Sequence, residues 1–318
     1  MLRIGWNTCR YIRSLNFFPS PKNFTSFYQQ QLLHLIPCCL IVMPTSDNFI
    51  DHYSLVEHIG VGGYGSVWTC LHRTSREKFA VKIVPDRKCF RKTRCCRSKE
   101  LIPEEVALWR PLCHPSVVGL REVFYDVTGK YWMYVMEYDE NYQDLFNYID
   151  KNGSMSSAAA SKIIKQVVEV VHYLLEAGVD HRDIKDENIL INPATNTIKI
   201  LDFGSASSFT VDQPAYQSYQ GTDVYLPPEY YVTRRYEACP AAVWAIGCLT
   251  HCLIAGDCPF DDKSEIPNYV RLQWLDDGDE LAKDFVNQCM QKDPAKRPSL
   301  YHLLNHPWFH KSEINPSS

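Results

Sequence analysis

Two short stretches constrain this 318-residue chain more than any property of its composition: His181-Arg182-Asp183-Ile184-Lys185-Asp186-Glu187-Asn188 and, fourteen residues after Asn188, Asp202-Phe203-Gly204. They set a carboxylate base, a lysine and two oxygen ligands for a divalent cation in the order and spacing that phosphoryl transfer uses. Asp183 is placed to accept a hydroxyl proton, and Asn188 and Asp202 to hold metal. Either stretch alone could arise by chance. Both together, in this order, point to one chemistry.

The upstream half carries matching parts. Gly60-Val61-Gly62-Gly63-Tyr64-Gly65-Ser66-Val67 fits a G-x-G-x-x-G-x-V loop, with glycines where backbone must approach phosphate oxygens closely. Such glycines alone are weak evidence, because dinucleotide-binding folds use them at a strand-to-helix turn. Here Ser66 to Leu71 reads as a strand, and Phe79-Ala80-Val81-Lys82-Ile83 as the next one, so the helix that reading needs is missing. Lys82 then needs a carboxylate to hold it toward phosphates. Glu104 and Glu105 are the candidates: Glu105 sits with Val106, Leu108 and Trp109 nearer an apolar edge, while Glu104 reads as a solvated first-turn acid.

Charge and cysteine usage exclude several classes. With 33 Lys+Arg against 37 Asp+Glu the net charge is -4, so no global basic field argues for nucleic acid. The 13 cysteines are scattered with no C-x-x-C pair, which reads as reduced thiols rather than a zinc site or disulfide framework. Residues 1–48 form an extension with no acid before Asp47. It reads as disordered, with mitochondrial targeting as an alternative and Cys38-Cys39 as possible acylation sites. The apolar runs Leu32–Met43 and Ala241–Ala255 are too short to span a bilayer, and the second reads as a helix buried all round.

Short strands with β-branched and aromatic residues dominate residues 53–136, broken by one helical stretch near Glu105. Beyond Asp144 the pattern turns helical, as in Ser157 to Ala177, which stops at Gly178. The expectation is an α+β, bilobal fold: a small antiparallel sheet lobe with one main helix (53–136), a hinge (137–143), a larger mostly helical lobe (144–309), and a tail (310–318). A nucleotide would lie against the hinge, with Ile59, Val67, Ala80 and Leu190 as apolar walls and Met136 behind the adenine.

Residues from Tyr53 to Phe309 resemble a protein Ser/Thr kinase, and specifically the Pim family. The resemblance is carried by His181 through Leu190, by Pro227-Pro228-Glu229, by Ala241-Ala242-Val243-Trp244 with Val243 where most kinases have an Asp, and by Gly256-Asp257 and Asn305-His306-Pro307-Trp308. It implies ATP and Mg²⁺. Asp183 and Lys185 would be catalytic, and Asn188 and Asp202 would hold metal. The glycine loop from Ile59 to Val67 with Ala80, Lys82, Glu105, Glu137 and Leu190 would hold nucleotide. Asp144, Glu187 and Thr222 would meet a protein substrate with Arg or Lys before its Ser or Thr. Glu229 and Arg297 would form a buried ion pair anchoring the activation segment. That segment would be ordered without phosphorylation, although Arg182 could pair with a phosphate at Thr210, Ser218 or Thr222.

The hinge departs from the Pim pattern. Glu137-Tyr138-Asp139-Glu140-Asn141 lacks that family's prolines, so Asp139 keeps a backbone N–H. Asn147 stands where the family usually has another acid. The alternative function is a pseudokinase scaffold that binds nucleotide without turnover, against which the intact Lys82, Asp183, Asn188 and Asp202 argue. A small-molecule kinase is disfavoured by the peptide-positioning segment from Gly221 to Glu229. The chain is expected to be a cytoplasmic monomer, with the nucleus a further location.

Overall fold

Alternation with a period of two builds the small lobe. Phe79, Val81 and Ile83 project to one side, where Phe79 and Val81 join Phe49, Tyr53, Cys70, Phe124 and Val135 in a core cluster. Ala80 and Lys82 project to the other. The computed structural model describes residues 48–63, 65–95, 99–210, 215–218, 220–268 and 278–310. Tyr64, the extension up to residue 47 with Cys38-Cys39, and the tail after His310 lie outside them.

A short helix α1 (Phe49–His52) leads into β1 (Tyr53–Val61), β2 (Ser66–His72) and β3 (Lys78–Pro85). A hairpin of β4 (Lys92–Arg94) and β5 (Leu101–Pro103) precedes α2 (Glu104–Trp109), followed by β6 (Leu120–Asp126) and β7 (Tyr131–Glu137). Five strands form an antiparallel sheet in the order β1-β2-β3-β7-β6. The register sets Val67 opposite Lys82 and Lys82 opposite Tyr134, which fixes the lysine in the sheet centre. Phe49 is 4% exposed, stacks on Tyr53 at 5.4 Å and meets Phe124 edge-on at 5.7 Å. The packed core therefore starts before Tyr53.

The larger lobe runs through β8 (Gln143–Asp144), α3 (Leu145–Asn152), α4 (Ser157–Glu176), β9 (Val179–Asp180), β10 (Ile189–Asn192), β11 (Thr197–Ile200), β12 (Ser207–Ser208) and β13 (Ala215–Tyr216). It continues with α5 (Pro228–Thr233), β14 (Tyr236–Glu237), α6 (Ala238–Ala255), α7 (Glu280–Cys289) and α8 (Leu300–Leu304). Ser156 caps α4 by accepting from the Ala159 N–H, and Gly178 ends it at φ +75°. Its stripe Ile163, Ile164, Val167, Val168, Val171, Leu174 and Leu175 is buried. Helix α6 is long and apolar enough to cross a membrane by composition, yet Trp244, Ile246, Leu249 and Leu253 are each 0% exposed, as befits a core helix.

Arg297 joins the ends of this lobe. Its guanidinium donates to both Glu229 carboxylate oxygens at 2.9 and 2.6 Å and to the Pro240 carbonyl at 2.9 Å, and lies over the Trp244 ring. Two-pronged pairing satisfies the planar fork inside the protein. The nine cysteines described are free thiols.

Candidate active site

The tip of the glycine loop closes on itself, Gly62 and Gly65 exchanging backbone bonds at 2.8 and 3.3 Å. A Cβ at Gly65 would run into the Ile83 carbonyl, so only glycine lets β1 and β2 fold back this tightly over β3. Gly60 and Gly63 meet no such barrier. Ile59 and Val61 are exposed on β1, Val67 and Leu190 are half-buried, and Ala80 is buried.

Lys82 is 7% exposed and donates to Glu105 Oε1 and Asp202 Oδ1, each at 2.8 Å. Burial pushes the ammonium toward neutrality, but the two carboxylates outweigh it and hold the lysine protonated. Burial also works against the Asp202 charge, and Lys82 with the Gly204 N–H more than compensates, keeping that carboxyl below its usual range. Glu105 is pushed up by burial, which the lysine offsets only in part. The structure thus brings Lys82, Glu105 and Asp202 together. Glu104, read from sequence as solvated, instead pairs with Arg91 at 3.4 Å.

Across the cleft, both oxygens of Asp183 are held. Oδ1 accepts from the Thr222 N–H at 3.0 Å and hydroxyl at 2.9 Å, and Oδ2 from Asn188 Nδ2 at 2.9 Å. Lys185 Nζ stands 3.9 Å from Asp183 Oδ2 and pairs with Glu187. Asn188 also donates to the Asp183 carbonyl at 2.8 Å, tying base and amide into one turn. His181 donates from Nε2 to the Leu201 carbonyl; burial lowers the proton affinity of its ring, outweighing the Asp183 charge and that bond, which act the other way.

Asp202 adopts φ +64°, the left-handed region, a conformation that costs a non-glycine residue about 1–3 kcal/mol unless the surroundings impose it. Phe203 behind it is 0% exposed, stacked on Trp109 at 5.7 Å and edge-on to His181 at 5.0 Å. This aromatic column links α2, the Asp202 turn and the catalytic loop.

Two of the expected site residues engage the protein itself with their carboxylates. Glu137 turns its carboxylate to the Gly119 N–H at 2.9 Å and Lys199 at 2.8 Å, behind the hinge. Asp144 is the N-cap of α3, accepting from Asn147 N and Nδ2 at 2.8 and 2.7 Å. A carboxylate directly before a helix is a capping signal as much as a binding one.

Two residues escaped the sequence reading. Asp180, 5% exposed, accepts from the Arg182 N–H at 3.2 Å, and burial pushes its carboxyl up to about 6. It lies in the two-residue strand Val179–Asp180, and nothing local to it in the sequence marks it as buried. Arg91 donates to the Gly204 and Ala206 carbonyls at 3.0 and 2.7 Å, and nothing local to Arg91 in the sequence announces it.

Residues 53–309 match the protein kinase domain family. Serine/threonine-protein kinase pim-2 of Danio rerio is 31% identical over 280 residues, covering 85% of this chain and 88% of that protein. Serine/threonine-protein kinase prk-2 of Caenorhabditis elegans is 29% identical over 84% of this chain, which spans 60% of that protein's length. Serine/threonine-protein kinase RAD53 of Saccharomyces cerevisiae is 29% identical, and there this chain spans 34% of the relative. Given a family match over most of its length and the site geometry above, the chain belongs to the protein kinase family, as a serine/threonine kinase similar to Pim.

Proposed function

We propose that this chain transfers the γ-phosphoryl group of ATP to Ser or Thr in proteins that carry Arg or Lys on the N-terminal side of the acceptor. The observation that carries the reading is the doubly held carboxylate of Asp183, facing Lys185, opposite a lysine pinned between Glu105 and Asp202. Asp183 orients the hydroxyl and takes its proton as the new O–P bond forms and the bond to the ADP oxygen breaks. Lys185 offsets charge on the migrating group, and Lys82 holds the remaining phosphates. The Asp139 N–H has no hydrogen-bond partner among the described residues, which supports its use by an adenine at the hinge.

The donor set also suits Mg²⁺. Asn188 spends its amide nitrogen on Asp183, and Asp202 spends Oδ1 on Lys82 and Gly204, so Asn188 Oδ1 and Asp202 Oδ2 are the hard oxygen donors left. When bound there the ion supplies neutralisation of phosphate charge. Among the described residues no cluster of three or more His, Cys, Asp or Glu forms an all-protein cage, which Mg²⁺ seldom uses in any case.

Basic-substrate preference rests on Glu187, exposed beside the catalytic loop, with Lys185 as the partner an incoming arginine must displace. A partly desolvated Arg–carboxylate pair contributes about 1.5–3 kcal/mol, roughly ten- to a hundredfold in kcat/KM. Turnover of ATP on a peptide with arginines before the acceptor, and on its alanine counterpart, tests the reading. Glu187→Ala should slow only the first, by at least several-fold. Equal slowing of both would show that Glu187 supports the loop and does not read substrate.

A further inference from the structure

The segment between β3 and α2 reaches both sides of the nucleotide cleft, a role its basic composition does not require. Asp86 anchors its start, accepting from Trp132 Nε1 at 2.7 Å and from Lys92 at 2.6 Å. Lys88 Nζ donates to the Gly63 carbonyl in the glycine loop at 3.1 Å. Arg91 reaches the other side. One nitrogen, Nη2, donates to the carbonyls of Gly204 and Ala206, 113 and 115 residues away, while Nη1 pairs with Glu104 on the first turn of α2. The same positive charge acts on the Glu105 carboxylate.

Those two carbonyls frame the turn that presents Asp202. Ala206 N donates to the Phe203 carbonyl and Gly204 N to the Asp202 carboxylate, so residues 202–206 form one tight turn around a left-handed aspartate. Such a conformation persists only when neighbours over-determine it. Lys82 holds the side chain and Trp109 holds Phe203, but both act on the leading half of the turn. Among the described residues, Arg91 is the side chain that grips the main chain of its trailing half, and its side chain is 35% exposed where Phe203 is sealed.

We propose that Arg91 is a positioning residue that locks the Asp202 turn in its phosphate-facing orientation, and that residues 86–92 thereby act as a strap coupling the glycine loop, α2 and the Asp202 turn. Arg91 acts through Asp202 and touches no reacting atom. This deepens the phosphoryl-transfer reading and rests on it for the effect on rate, but not for the effect on the turn.

The test pairs steady-state kinetics with amide hydrogen exchange of the full chain. Arg91→Met should raise exchange at the Gly204 and Ala206 amides at least tenfold and lower kcat at least tenfold, with the peptide KM unchanged and exchange in α4 and α6 as in the parent. Arg91→Lys, with one cation but no fork, should fall between on both readouts. Glu104→Gln removes the ion pair and leaves the carbonyl bonds, and should match the parent within twofold. Unchanged exchange at Gly204 and Ala206 in Arg91→Met would overturn the proposal, as would a Glu104→Gln variant that copies Arg91→Met. Should Arg91→Met not fold, Arg91→Lys decides: parental exchange at those amides refutes the lock. A parent without turnover would sink the phosphoryl-transfer reading and leave the exchange result to judge Arg91 alone.

Discussion

At the scale of single residues, two acids in one site carry opposite burdens. Asp202 is paired, and Lys82→Met or Asp202→Asn should abolish turnover while leaving the fold intact, because both groups act on phosphate or metal charge rather than on packing. A turnover assay beside circular dichroism checks this, and near-parental rates in either variant contradict the mechanism. Asp180 is the reverse case. Its carboxyl rises from 3.8 to about 6 because burial outweighs the Arg182 charge, the Arg182 N–H and the Tyr216 hydroxyl beside it; the Cys239 thiol and the Tyr236 phenol are its other titratable neighbours. The folded state thus binds this proton more tightly than the unfolded chain does. Above pH 6 the charge costs about 3 kcal/mol, and the cost fades as pH falls through 6 toward 4. Asp180→Asn keeps an acceptor for the Arg182 N–H and should stabilise the protein at pH 7.5, by less at pH 5. Denaturant titrations at the two pH values measure it, and a variant less stable than the parent at pH 7.5 would show the charge to be fully compensated. The motif residues were legible because each belongs to a local pattern with a chemical meaning. Asp180 and Arg91 were not, since what each does depends on contacts such as Tyr216 and Gly204 that only the folded chain supplies.

At the scale of elements, the described parts of the segment from Gly204 to Pro227 are tied to the catalytic loop. Strand β13 pairs with β14, and Thr222 is bonded to Asp183 by its N–H and its hydroxyl. Arg182, the side chain that could receive a phosphate, is engaged by neutral groups beside the buried Asp180: Nη2 donates to the Ser218 carbonyl at 2.6 Å and the Tyr236 hydroxyl at 2.8 Å, and the guanidinium lies 4.3 Å from the centre of the Tyr216 ring. These contacts already occupy the guanidinium that a phosphate would otherwise engage through new charge-assisted bonds. Phosphatase-treated enzyme should therefore keep most of its rate. A large loss restored by rephosphorylation would show that the neutral contacts are too weak to hold the segment. A helical period was readable along α4, where an apolar stripe runs for many turns, whereas α6 was legible from the length of a run that is apolar all round. The two-residue strands β9, β12, β13 and β14 were not, because a strand that short exists only through its partner.

At the scale of the whole molecule, the boundary of the packed core is a physical question that motif spacing does not answer. The family match begins at Tyr53, yet Phe49 is buried against Tyr53 and Phe124. Asp51 accepts from the Asn48 N–H, closing the first turn of α1, and Arg73 donates to the Ile50 and His52 carbonyls at 2.7 and 2.8 Å. Nothing in Asn48-Phe49-Ile50-Asp51-His52 resembles a catalytic motif, so the spacing argument had no reason to start there. Removing a buried Phe costs about 3–5 kcal/mol, which for a domain of this size is on the order of 10 °C in melting temperature. A fragment starting at Asn48 should retain turnover and melting temperature, while one starting at Tyr53 should melt about 10 °C lower. Thermal melts of the two fragments, with turnover measured below both transitions, separate the possibilities. Equal melting would mean that α1 adds nothing to the core it caps. Loss of turnover in the longer fragment would assign the missing contribution to residues 1–47.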